Sequence, residues 1–142
     1  MARVTASKMI HPAKYLIDTH ALHWHWANPG KLPRKVRDIF ARANCGEASL
    51  IVSHIVLLEI YFLYKKLGCV DQFRDRLVDL SSVDSFQLEP VLLEDIENLP
   101  AFEAVPEMHD RILVIQANRL GVALITKDES IQKSNVIDII WN

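Results

Sequence analysis

Residues 50–64, LIVSHIVLLEIYFLY, form the most apolar stretch of the chain, and Glu59 is the only carboxylate inside it. Ser53, His54 and Glu59 interrupt the run, which is also too short for a good membrane span. It therefore has to be buried within a domain. SLIVS (49–53) reads as a buried strand. Ser53 then suits the N-cap of a helix, HIVLLEIYFLYKKLG, with Lys65 and Lys66 in its last turn and Gly68 ending it.

The same alternation recurs along the chain. AKYLID (13–18) is a short apolar strand that ends in an acid. KLPRKVRDIFARA (31–43) places Leu32, Val36, Ile39, Phe40 and Ala43 on one helical face and its basic residues on the others. A helix over DQFRDRLVDL (71–80) turns Phe73, Leu77 and Leu80 inward. SFQLEP (85–90) reads as a strand, VLLEDIENL (91–99) and HDRILVIQANRLG (109–121) as helices, and VALIT (122–126) and VIDIIW (136–141) as the last strands. Strands alternating with helices define an α/β domain with a mainly parallel sheet and helices on both faces, a three-layer α/β/α arrangement. The chain has 142 residues and is 50% hydrophobic, enough for one core. Residues 1–13 are expected to be a flexible leader and 14–142 the domain.

Charge excludes little. The net charge of −2 gives no global drive toward nucleic acid, so any such contact must use a local patch. Cys45 and Cys69 form no CxxC pair and read as reduced thiols; the N-terminal residues lack a secretory apolar segment. The expectation is a soluble, cytoplasmic protein that does not enter membranes.

Ligands of an open parallel sheet bind at the carboxyl ends of its strands. Asp18 ends the first strand, Asp128 follows VALIT by two residues, Asp110 begins a helix, and Glu59 sits in the most apolar helix. Each acid alone has an ordinary structural reading as a cap, a turn residue or a surface group, and Glu59 could pair with Lys65 or Lys66. One shared site explains all four. Crowded carboxylates must take up protons or bind a cation, and oxygen-only ligands favour Mg²⁺ or Mn²⁺.

The order YLIDTHALHW, SHIVLLEIYFLYKKLG, PEMHDRILVIQANRLG, ALITKDESI and a final IDIIW resembles the PIN domain family. The resemblance is strongest to the small VapC-type toxins of bacterial toxin–antitoxin pairs, and it covers Lys14 to Trp141. It implies a metal-dependent ribonuclease with Asp18, Glu59, Asp110 and Asp128 as the acids. Asp18 and Asp110 would hold Mg²⁺ or Mn²⁺ most directly, with Glu59 and Asp128 acting through water or on a second ion. Glu107 stands where many relatives carry another Asp and is left outside this set. Products with a 5′-phosphate and a 3′-hydroxyl are expected. Thr19 and Thr126 would orient water or phosphate, His20, Arg111 and Lys127 would lie near the RNA, and helix 31–42 with Lys65 and Lys66 would track its backbone. The family also implies a homodimer and a small antitoxin that fills the groove. A helix apolar on several faces, such as 54–66, suits burial against a partner.

Other readings remain beside this one. LIDTHALHWHW (16–26) brings His20, His23 and His25 close in sequence, but 20 and 23 share a helical face that 25 does not. A histidine metal site is thus disfavoured, and His23, His25, Trp24 and Trp26 read as packing and surface residues. A phosphatase with a carboxylate nucleophile would need a second Asp where His20 stands. A housekeeping PIN nuclease and a catalytically inactive PIN binding module are the remaining alternatives.

Overall fold

The computed structural model describes residues 12–142, and most of the expected leader lies outside them. Five strands form one sheet: β1 (Ala13–Ile17), β2 (Ala48–Ser53), β3 (Phe86–Glu89), β4 (Ala123–Ile125) and β5 (Ile139–Ile140). Their order is β3-β2-β1-β4-β5, and every pairing is parallel. Helices fill the crossovers: α1 (Thr19–Ala27) and α2 (Arg34–Asn44), then α3 (His54–Leu67) and α4 (Phe73–Ser82). After β3 come α5 (Leu93–Glu97) and α6 (Met108–Leu120), and α7 (Glu129–Ser134) joins the last two strands. The chain steps from β1 outward to β3 and then returns past β1 to β4. Right-handed crossovers therefore put α1 to α4 on one face and α6 and α7 on the other. This is the expected three-layer α/β/α fold.

Leu16, Ile17, Leu50, Ile51, Val52, Leu124 and Ile125 are buried on consecutive positions, as strands covered on both faces require. On α2 the expected Leu32, Val36, Ile39, Phe40 and Ala43 are all buried. Ser53 caps α3 by accepting from the Ile55 N–H at 3.1 Å, and Gly68 closes it at φ +76°, a left-handed conformation that costs a residue with a Cβ. α6 is the central helix on its face, with Ile112, Leu113, Val114, Ile115, Gln116 and Ala117 all buried.

Several boundaries differ from the sequence expectation. The first strand begins at Ala13 as expected and pairs it with Ala48, so the sheet starts one residue before the expected domain boundary at 14. α2 begins at Arg34 because Pro33 enters it from extended backbone and Pro29–Lys31 form a separate 3-10 turn. The helix expected over 91–99 is only Leu93–Glu97, and a 3-10 turn carrying Pro100 follows it. VIDIIW contributes only Ile139 and Ile140 to the sheet, since its sole neighbour β4 has three residues and offers Leu124 and Ile125 as partners. The span between the last strands, left without structure in the sequence reading, forms α7.

One buried ion-pair network ties α6 to the rest of its face. Arg119 grips Asp95 through two hydrogen bonds, at 2.7 and 3.0 Å, and Glu89 at 2.9 Å. Asp95 is fully buried and also accepts the Leu92 N–H at 2.9 Å.

Candidate active site

Pairing of Ile17 with Ile125 sets Asp18 beside Thr126 at the carboxyl ends of β1 and β4. This is where the strand order reverses, and such a crevice is the usual ligand site of an open α/β sheet. Asp18 caps α1 by accepting the Ala21 N–H at 2.9 Å. Asp128 caps α7 in the same way, accepting from the Ile131 N–H at 3.0 Å and the Ser130 hydroxyl at 2.7 Å. Thr126 is fully buried beside Asp18; its hydroxyl oxygen accepts the Asp128 N–H at 3.1 Å, and the group helps to hold the Asp18 carboxyl down. The expected polar residue before the fourth acid thus stands between the first and fourth acids.

Glu59 reaches the same crevice from α3. Its partner is Thr19, whose hydroxyl donates to it at 2.7 Å, and not Lys65 or Lys66. Those lysines lie six and seven residues further along α3, about 9–10 Å away along the axis, outside the acid pocket. Asp110 comes from the first turn of α6, whose N-cap is Glu107. Glu107 accepts from the His109 and Asp110 N–H groups at 3.1 and 2.9 Å and lies outside the pocket. Asp18, Glu59, Asp110 and Asp128 therefore line one cavity of about 360 Å³, together with Thr19, His20, Lys127, Trp24 and Leu113.

The carboxylates sense one another. Burial pushes the Asp18 carboxyl above its ordinary value; hydrogen bonds from Thr126 and Ala21 oppose this, and the charge of Glu59 adds to it. Asp110 is pushed up to about 6, first by burial and then by the charges of Asp128, Glu107, Glu59 and Asp18. Burial also acts to raise Asp128, but bonds from Ser130 and Ile131 outweigh it and hold that carboxyl below its usual range. Among the described residues, no three His, Cys, Asp or Glu side chains form a group able to hold a metal ion by themselves. The acids share a pocket without making a closed ligand cage.

One expectation needs correction and another an addition. Arg111 does not enter the pocket: its guanidinium donates to the Val105 carbonyl at 2.7 Å and the Leu99 carbonyl at 3.2 Å, holding the segment before α6. Trp24 packs against the core, as expected of a packing residue, but is also part of the pocket wall. It follows His20 by one helical turn, and that i,i+4 spacing was the available signal. The other two histidines of residues 16–26 are spent on packing, as expected. His25 stacks on Phe40 with centroids 3.9 Å apart, and His23 meets Tyr64 edge-on at 5.9 Å.

The PIN domain family profile matches residues 15–135, and the chain belongs to this family. Among solved structures, VapBC2 from Rickettsia felis bound to a promoter DNA fragment is similar with a TM-score of 0.70 at 14% identity, over 91% of this chain and 99% of that one. DNA-bound VapBC from Salmonella typhimurium gives 0.68 at 15% identity, over 90% and 97%. The PIN domain endonuclease Utp24 gives 0.52 at 13% identity, over 91% and 96%. Comparison with curated protein sequences gives no significant match.

Proposed function

We propose that the protein is a metal-dependent endoribonuclease and the toxin of a type II toxin–antitoxin pair. The observation that carries the enzymatic reading is the convergence of Asp18, Glu59, Asp110 and Asp128 on one crevice, where burial and then the neighbouring charges raise Asp110. An all-oxygen, strongly anionic donor set fits a hard divalent cation. Mg²⁺ is usually bound by one or two carboxylates, with water and substrate phosphate completing its shell. An open set of acids suits that habit better than a closed cage. Asp18 and Asp110 would hold Mg²⁺ or Mn²⁺ directly, with Glu59 and Asp128 beside them. The ion supplies Lewis-acid polarisation of the phosphoryl oxygens and a more acidic bound water.

The chain's own groups prepare the rest. Thr19 holds the Glu59 carboxylate by a 2.7 Å hydrogen bond, and Thr126, buried beside Asp18, holds the loop that carries Asp128. Lys127 lies on the pocket wall, where its ammonium meets the phosphate of an entering strand. His20, also on the wall, would contact the same strand.

The partner part of the proposal rests on α3. It buries Val56, Ile60 and Tyr64 but leaves Leu58 58% and Phe62 64% exposed, one turn apart. An apolar stripe of this kind is a cost in water that a second chain removes. The VapBC structures named above are complexes of two proteins, which favours a small antitoxin here, and a homodimer is the second expected assembly. The test is expression of the chain alone in a bacterial host. Growth arrest with RNA cleavage, both lost in Asp18→Asn, is the expected result; harmless overproduction of folded protein that still cleaves RNA would leave a housekeeping nuclease.

A further inference from the structure

A second cavity, of about 500 Å³, adjoins the acid pocket and shares Trp24 and Lys127 with it. Its chemistry is different. Trp24 and Trp141 lie together with ring centroids 6.1 Å apart, tilted by 49°. The ammonium groups of Lys127 and Lys31 sit 4.8 and 5.3 Å from the Trp24 ring. Glu129 and Gln132 complete the wall with hydrogen-bonding groups of both signs. A volume of this size is in the range of small-molecule sites.

The two indoles have separate roles. Trp24 holds both lysines by cation–π attraction, Lys127 where the two cavities meet and Lys31 on the wall of the second. The Trp141 ring is partly buried against the core and also lines this cavity, where among the described residues no cation lies over it; the part facing the cavity suits an uncharged planar group. Aromatic platforms flanked by lysines are how single strands are gripped, the bases on the rings and the phosphates on the cations.

We infer that this cavity seats a nucleobase of the RNA strand, the one next to the phosphate held at the acids. The base stacks on Trp141, Glu129 and Gln132 meet its edge, and Lys127 and Lys31 take the flanking phosphates. The inference rests on the ribonuclease reading and names the part of the protein that gives that reaction its preference for one nucleotide over another. It gives Trp24 a positioning role and Trp141 a direct one.

The test is binding of a fluorescently labelled single-stranded oligoribonucleotide in Mg²⁺, measured by anisotropy on the full chain carrying Asp18→Asn. A second strand series replaces one nucleotide at a time with an abasic one. Trp141→Ala should weaken binding of the intact strand roughly tenfold. Trp141→Phe should restore most of it, which also controls for misfolding. At one position the abasic strand should show the same loss, and there Trp141→Ala should add nothing further. Lys31→Ala should reduce the salt dependence of binding by roughly one phosphate contact. Losses that simply add at every abasic position would overturn the inference, as would a Trp141→Ala variant that binds like its parent while the wild-type chain cleaves RNA. Base-specific binding through Trp141 by a wild-type chain that does not cleave would uphold the subsite and remove the nuclease reading. Absence of any RNA binding would overturn both.

Discussion

Neutralising Asp110 should stabilise the metal-free protein. Its carboxyl is raised from 3.8 to about 6 by burial and by four other carboxylates. Among the described residues it accepts no hydrogen bond, so Asp110→Asn removes repulsion without breaking a contact. The folded state binds this proton more tightly than the unfolded chain does. Its charge therefore destabilises the fold fully above pH 6, and the penalty fades as pH falls from 6 toward 3.8. A shift of about two units corresponds to roughly 3 kcal/mol at full strength. Asp110 is half-exposed and solvent screens the repulsion, so about 1 kcal/mol is the expected gain. For a domain of this size that is a rise of roughly 3–4 °C in Tm. Thermal melts in EDTA at pH 7.5 and pH 5 measure it, and the difference between parent and variant should shrink at the lower pH. Saturating Mn²⁺, at a hundredfold over its Kd, should then add about 2.7 kcal/mol to the parent and less to the variant. A destabilised variant at pH 7.5, or an equal difference at both pH values, would refute the reasoning.

Three further outcomes follow from the geometry. Asp95→Ala removes two charged hydrogen bonds and leaves the largely buried Arg119 only its 2.9 Å contact with Glu89, and urea denaturation should show a loss of about 2–3 kcal/mol. Thr19→Val removes the 2.7 Å hydrogen bond to Glu59 while keeping side-chain volume; RNA cleavage should fall roughly tenfold, corresponding to about 1.4 kcal/mol, in protein that melts near the parent. Phe62→Glu charges the exposed stripe of α3, and sedimentation velocity should show a smaller species than the parent forms. A parent that is already a monomer would contradict that assignment of the stripe.

Long apolar periods made the architecture readable. The run through Ser53 and α3 fixed both a strand and a capped helix, and the five strands were all found in order. The short elements were not legible, for physical reasons. α7 buries only Ile131, so no period exists to read, and its signal was the Asp128 cap that had been assigned to chemistry. β5 is limited by the length of β4, a property of the neighbour and not of VIDIIW. The convergence of the acids was legible because Asp18 and Asp128 lie at strand ends, Asp110 begins a helix and Glu59 interrupts an apolar one. The direction of Arg111 and the second role of Trp24 were not legible because side-chain direction within a turn depends on tertiary partners: the carbonyls of Leu99 and Val105 draw Arg111 away, and Lys31 and Lys127 gather on Trp24. Among the described residues no helix is long and apolar enough to cross a membrane, in keeping with the interrupted run at 50–64.

The central claim is that the four acids act together on a divalent ion in RNA hydrolysis. It is tested most directly by single-turnover cleavage of a labelled single-stranded RNA across a titration of Mg²⁺ and Mn²⁺, with parent, Asp18→Asn and Asp110→Asn compared side by side. The account predicts no cleavage in EDTA, saturable activation by either ion in the parent, products with a 5′-phosphate, and loss of cleavage in both variants although they fold. Cleavage that persists in EDTA, or that either folded variant retains at the parental rate, would contradict it.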